Sequence, residues 1–375
     1  MLRPSIDNNQ GEEKTAKIDK ESVIAKRRWP IPGGFGVTTW RAPLLAAAAI
    51  GLALAVSAVP ILISGKNPLL AYWAMLRGAI GSADSIAFAL NKSTPYILAG
   101  VGVAMCFRAR VINIGSEGQI AVGGVAASWI ALNFSDFPSV IVIAAALIAG
   151  AIAGAAWSAI AAVMRLKRGV HEVLCTLMLN FIGLLVVSEV LRGPMGEPGA
   201  GFPQSPLFAE SSWLPNLFPG IDMHAGIIFA VAAVVICHVF LWHTPFGFRL
   251  RLLGGSPNAA AYSGVSFGRS VFEVMLIAGG LAGIAGAIEV LGVHYRLIEG
   301  FSQGFGFNAV AIALLAGLNP LAVLPAGLFF AFLEAGALAM QREIGVPSSL
   351  VFIIQGLTMI FVLCAIGIGA KERSV

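Results

Sequence analysis

VIVIAAALIAGAIAGAAWSAIAAV, residues 140–163, contains no charged residue and no proline. It exceeds the roughly 18 to 20 apolar residues that carry a helix across a bilayer. LLAAAAIGLALAVSAVPILIS, residues 44–64, is a second run of this kind. The whole chain follows them. Of its 375 residues, 58% are hydrophobic and only 11% are charged, against about 25% charged in ordinary soluble domains. The mean hydropathy is +0.86. These observations set the class as an all-α polytopic membrane protein. A β-barrel would instead show alternating segments of about 10 residues.

The net charge of +5 and the pI near 9.2 fit the excess of Lys and Arg in cytoplasmic loops of membrane proteins. No basic and aromatic platform for nucleic acid is visible. Residues 1–42 are too long and too charged for a signal-peptide n-region. They read as a cytoplasmic tail ahead of a transmembrane domain at 43–370.

Hydropathy places about ten transmembrane helices at 44–64, 93–107, 116–134, 139–164, 172–191, 224–242, 271–292, 304–318, 320–340 and 349–369. With both termini cytoplasmic, 18 of the 24 Lys and Arg fall inside and six outside. That asymmetry sets the orientation. Three connections are long. Residues 65–92 read as an amphipathic helix at the outer interface, with Tyr72, Trp73 and Arg77 suited to headgroups. Residues 193–223 are rich in Pro and Gly with Phe and Trp interleaved, and read as an ordered extracytoplasmic loop. Residues 243–270 form a basic cytoplasmic loop.

No P-loop or HExxH occurs. The chain therefore reads as a non-enzyme without a metal site or a cofactor of its own. Cys106, Cys175, Cys237 and Cys364 lie in or beside apolar runs and read as buried thiols. Gly150 with Gly154 and Gly279 with Gly283, near Gly286, mark helix faces built for close approach.

Ionisable groups inside a membrane are costly and hence functional candidates. They are Glu117, Glu172, Glu189, Glu273, Glu289 and Glu334. Glu172, Thr176 and Asn180 share one helix face by their i, i+4, i+8 spacing. That stripe either faces a translocation path or fixes the bundle by interhelical hydrogen bonds. FRARVINIGSEGQIAVGG, residues 107–124, raises a related question. Asn113, Gly115 and Gly118 interrupt the helix, and Glu117 and Gln119 begin the next one. A break in lipid is tolerated only where protein or a water-filled cavity satisfies the backbone. The stretch reads as a turn, capped by Ser116, whose polar residues pack into the bundle core.

FRARVINIGSEGQ resembles the signature of nucleoside-type permeases of bacterial ABC importers, within the family that includes branched-chain amino-acid and simple-sugar permeases. HEVLCTLMLNFIG (171–183), LRGP (191–194), GGSPNAAAYSGVS (254–266) and FGFNAVAIALLAGLNP (305–320) extend the resemblance over residues 40 to 370. The chain departs from the pattern at His171, Ser256, Ala261 and Asn308.

The resemblance implies a permease subunit in the bacterial cytoplasmic (inner) membrane, working by ATP-driven alternating access. An ABC ATPase subunit would use the ATP, an extracytoplasmic substrate-binding protein would deliver substrate, and a second permease, identical or not, would complete the path. A nucleoside is the first substrate and a simple sugar the second. The resemblance also turns the 243–270 loop into a docking site for the ATPase: Pro257 starts a short helix, Ala259, Ala260 and Ala261 allow close approach with Tyr262 as the anchor, and Gly264 ends it. Arg249, Arg251 and Arg269 flank it and would meet an acidic ATPase surface or lipid headgroups. Asn113, Glu117, Gln119, Glu172, Thr176, Asn180 and Asn308 are the candidate pathway residues. The rival from another class is an ion-coupled secondary transporter, which has no use for a docking loop. A third class is a membrane scaffold or receptor without transport.

Overall fold

A computed structural model describes residues 41–371. Residues 1–40, which hold nearly all of the expected cytoplasmic tail, lie outside the described residues, as do 372–375.

The described chain is almost entirely helical. In order, the helices are α1 (Arg41–Ile63), α2 (Pro68–Ile80), α3 (Ala83–Arg108), α4 (Ser116–Asn133), α5 (Ser139–Arg168) and α6 (Glu172–Arg192). A small antiparallel hairpin follows, β1 (Asn216–Phe218) and β2 (Ile221–His224). Then come α7 (Gly226–His243), α8 (Pro245–Gly255), α9 (Pro257–Tyr262), α10 (Phe267–Glu289), α11 (Phe305–Leu315), α12 (Pro320–Ile344) and α13 (Ser348–Lys371). A π-helical turn, Val290–His294, continues α10.

Among the described residues, five helices are long and apolar enough to span a membrane: α5, α6, α7, α10 with its π turn, and α12. A sixth is gained if α1 and α2, bent by 118° at their junction, form one broken span. The five match expected spans at 139–164, 172–191, 224–242, 271–292 and 320–340; the bent pair would join the expected span at 44–64 to part of the expected interfacial helix. The others are helical but different in kind. α3 carries Lys92 just ahead of its expected run, α4 carries Glu117 within its own, and both hold many small or polar residues. α11 has only 11 residues and rises about 16 Å, about half of the ~30 Å hydrocarbon core.

The expected interfacial helix at 65–92 is two helices. Asn67 caps α2 by accepting the Leu69 amide at 2.9 Å, and Ser82 caps α3 by accepting the Ser85 amide at 3.0 Å. α3 then runs on without a break into the bundle. Trp73 is exposed, as an interfacial residue would be. Tyr72 is not free for headgroups: its hydroxyl donates to the Leu54 carbonyl at 2.5 Å and lies 2.9 Å from Ser57 Oγ.

α3 and α10 form the centre. Every residue from Asn91 to Cys106 is buried. α10 crosses α5 where the predicted small residues meet. A methyl group at Gly154 would lie 2.8 Å from the Gly283 Cα, and one at Gly150 would lie 2.9 Å from the Ala287 Cβ. Ser158 donates to the Met275 carbonyl at 2.5 Å across the same seam. Small residues thus let two backbones approach where lipid supplies no hydrophobic drive. Cys106, Cys175 and Cys237 are buried free thiols as expected, whereas Cys364 is exposed.

The 193–223 loop is ordered. Ser205, Phe208 and Leu214 donate backbone bonds to Leu297, Tyr295 and Leu291. The Trp213 ring lies 4.4 Å from the Tyr295 ring.

Candidate functional site

The break after α3 creates the first arrangement. Arg110 adopts a positive φ of 58°, and the chain turns back into the bundle before α4 begins. Gly115, not Ser116, is the N-cap, and it makes no side-chain cap. Asn113 instead accepts the Gly115 amide at 2.9 Å and lies 3.3 Å from Gln119 Nε2. Asn180, near the middle of α6, accepts the Gly118 amide at 2.8 Å and donates to the Ile114 carbonyl at 2.7 Å. Thr176 accepts the Ile114 amide at 3.3 Å and donates to the Glu172 carbonyl at 2.8 Å. α4 therefore starts at the level of mid-α6, and side chains of α6 satisfy the freed backbone groups, as a membrane interior requires. Thr176 and Asn180 fix the bundle. Glu172 stands apart, with its carboxylate 3.0 Å from Arg165.

Glu117 reaches the other way. It is 2% exposed. One carboxylate oxygen accepts from Ser302 Oγ at 2.6 Å and the Gly304 amide at 3.0 Å; the other accepts the Gly306 amide at 2.7 Å. These donors form the N-terminus of α11. The orphan N–H groups and positive dipole end of a helix start would otherwise attract an anion, and here Glu117 fills that position. Gly306 permits it: a methyl group there would lie 2.5 Å from the Glu117 Cα.

The second arrangement lies on the opposite side of the same segment. Lys92, 4% exposed, donates to Gln303 Oε1 at 2.6 Å. Its ammonium lies 3.9 Å from Glu289 and 4.0 Å from Glu334, and 4.9 Å from the centre of the Phe305 ring. Tyr96 donates to Glu334, and Asn308 donates to the Tyr96 hydroxyl at 3.1 Å. His294 Nε2 lies 3.5 Å from Glu289. Neither Glu289 oxygen accepts a hydrogen bond from the described residues, although Glu289 is fully buried.

Two backbone irregularities converge there. Glu289 leads directly into the π turn, and Gln303 holds a positive φ of 48°. π turns and strained φ values concentrate at functional sites. Above the cluster lies a cavity of about 610 Å³, lined by Arg77, Asp84, Asn91, Lys92, Asp222 and Arg342 among others. His224 closes the hairpin beside it. Burial pulls its imidazole below the ordinary histidine range, against the opposing pull of Glu289 and Asp222.

The pathway candidates thus divide. Asn113, Gln119, Thr176 and Asn180 hold the turn before α4, Glu117 reaches from that turn to the start of α11, Asn308 belongs to the Lys92 cluster, and Glu172 belongs to none of these. Lys92, Tyr96, His294 and Gln303 were missed because they come together only through folding. Lys92 in NKSTPYILAG, a lysine against the start of an apolar run, was the available signal.

The third arrangement is the cytoplasmic loop. α9 runs over the expected residues, Pro257–Tyr262. Ser256 caps it by accepting the Ala259 amide at 3.3 Å, and Pro257 takes the first helical position. Gly264, at φ 74°, ends it: its amide and that of Val265 return to the Ala261 and Ala260 carbonyls. Pro257, Ala259 and Gly264 are exposed. Tyr262 is 94% exposed, whereas Ala260 is fully buried and seats the helix on the bundle. Arg249 and Arg269 are engaged with Glu273, at 3.5 and 2.7 Å.

Among the described residues, no group of His, Cys, Asp and Glu is arranged to hold a metal ion.

The family model described as branched-chain amino acid transport system / permease component matches residues 85–363. A guanosine ABC transporter permease protein of Bacillus subtilis, NupP, is 37% identical over 84% of this chain and 91% of its own. A glucose ABC transporter permease protein of Haloferax volcanii, TsgB13, is 36% identical over 83% of this chain and 84% of its own. A nucleoside ABC transporter permease protein of Lactococcus lactis, NupB, is 30% identical over 84% of this chain and 88% of its own. No solved structure matches.

Proposed function

The chain belongs to the branched-chain amino acid transport system permease family, and from that membership we propose that it is the nucleoside-conducting permease subunit of an ABC importer. It sits in the cytoplasmic membrane, crosses it in several helical passes and keeps both termini inside. ATP is hydrolysed by a partner, so the chain needs no cofactor. A second permease completes the path and an extracytoplasmic binding protein supplies substrate. Bacillus subtilis and Lactococcus lactis each have two relatives of this chain named as permeases of such systems, which supports a partner of different sequence.

The observation that carries the reading is α9. Six residues, capped at both ends by local signals, hold a 94% exposed tyrosine away from the bundle. An exposed aromatic on a rigid mount suits insertion into a groove on another protein. Closure of the ATPase pair would push on α9 and α8, and the bundle would rock between inward and outward access.

For the path itself, the Lys92–Glu289–Glu334 cluster is the better candidate, with Tyr96, Gln303 and Asn308. Its amide and hydroxyl groups match the hydrogen-bonding edges of a base and the hydroxyls of a ribose, and it lies beneath a cavity of suitable size. The 113–119 network serves as its support. The glucose-named relative favours a second reading, a simple sugar, which the same hydroxyl-binding groups accommodate.

The test is co-purification of the cognate ATPase with the tagged permease. Tyr262→Asp is expected to abolish it while leaving the permease in the membrane. Undiminished recovery of the ATPase would overturn the docking role of α9.

A further inference from the structure

Two arginines at the end of the bundle that bears α9 share one aromatic ring and pair with no carboxylate among the described residues. Arg108 is the last residue of α3, and Arg251 lies in α8. Their guanidinium carbons lie 5.1 and 4.8 Å from the centre of one ring, that of Trp242 at the end of α7. Among the described residues, neither pairs with an acid; the basic groups nearby that do are Arg165, Arg249 and Arg269. Arg251 also donates to the Leu241 carbonyl, which ties it to the negative end of α7. Gly254 packs against the Arg108 carbonyl and keeps α8 and α3 together. The two cations are therefore held side by side by packing, by ring contacts and by the negative end of α7, with no carboxylate of the described residues between them.

α7 supplies the second half of the argument. Val235, Ile236, Val239 and Phe240 are all roughly half exposed, and Trp242 is 36% exposed. Positions 235, 239 and 242, with 236, 240 and 243, form one helical stripe. An exposed apolar stripe thus ends at two cations that share a tryptophan and have no carboxylate among the described residues. A free phosphate would match the cations alone. A lipid matches both, with acyl chains along the stripe and phosphate at the guanidiniums. Basic pockets between helix ends on this side of a membrane suit anionic headgroups, and tryptophan favours the headgroup level.

We propose that Arg108, Arg251 and Trp242 form a binding site for the phosphate of an anionic phospholipid whose chains lie along α7. Of the three loop arginines at 249, 251 and 269, only Arg251 takes this role, because Glu273 engages the other two.

The experiment is native mass spectrometry of the purified full chain in mixed micelles containing phosphatidylglycerol and phosphatidylcholine in equal amounts. Preferential retention of phosphatidylglycerol is expected. Arg108→Gln should lower that retention about fivefold, the factor equivalent to about 1 kcal/mol for one basic residue near an anionic surface. Arg168→Gln, at a basic position outside the cluster, should leave it unchanged. Arg251 also caps α7, so if Arg251→Gln fails to fold, Trp242→Leu takes its place and should weaken retention in the same direction. Equal retention of the two lipids by the native chain, or unchanged retention in Arg108→Gln and Trp242→Leu, would overturn the proposal. Displacement of the lipid by millimolar inorganic phosphate would identify a free-phosphate site and equally overturn it.

Discussion

The Glu117 carboxylate accepts the backbone amide of Gly306 at 2.7 Å. The two residues belong to helices that both begin inside the bundle, and each start depends on the other. Glu117 gives α11 the negative charge its N-terminus calls for. Gly306 gives Glu117 the space to approach. Behind this contact, Asn180 and Thr176 hold the turn that carries Glu117; in front of it, Phe305 and Asn308 face Lys92 and Tyr96.

Replacing Glu117 with Ala leaves the Ser302 hydroxyl and the amides of Gly304 and Gly306 without their acceptor. Each buried unpaired donor costs about 1–3 kcal/mol. The variant is expected to melt well below the native chain in detergent, with Glu117→Gln between the two. A native melting curve for Glu117→Ala would remove this residue from the support of α11.

Removing Lys92 leaves the buried Glu289 and the partly buried Glu334 without the cation they share. Breaking one partner of a buried pair costs about 3–5 kcal/mol. Lys92→Met is therefore expected to lower both stability and uptake, and Lys92→Met with Glu289→Gln to recover much of the stability. A double variant no more stable than the single would show that the charges do not act on each other.

Gly283 packs on the backbones of Gly150 and Gly154. Gly283→Leu is expected to force α5 from α10 and reduce the yield of monodisperse protein severalfold in size-exclusion chromatography. Gly201→Ala, where a methyl group meets nothing within 4 Å, serves as the control and should behave as native.

Asn308 is partly exposed and donates to Tyr96. Asn308→Ala is expected to change the apparent affinity or preference among nucleosides while preserving expression and ATPase binding. Uptake of every tested substrate at the native rate would reduce Asn308 to packing.

What could be read in the sequence was local. The α9 boundaries follow from Ser256, Pro257 and Gly264 within one short stretch, and the glycine spacings at 150–154 and 279–283 announce their own packing. The polar stripe of α6 was visible, but its partners were not, because Ile114 and Gly118 lie in another segment. Glu117 could be flagged as costly in a membrane; its donors lie 185 to 189 residues away. The Lys92 cluster gathers positions 92, 96, 289, 294, 303, 308 and 334. Reading 65–92 as one amphipathic helix puts Lys92 at the outer interface, whereas the Ser82 cap restarts the chain and carries that lysine into the core.

The most direct test of the central claim is uptake of radiolabelled adenosine, uridine, ribose and leucine in cells with and without this chain, under a protonophore and separately under ATP depletion. The account expects nucleoside uptake that requires the chain, stops when ATP is depleted and survives the protonophore. Uptake that follows the proton gradient with ATP intact would contradict it and make the chain an ion-coupled transporter.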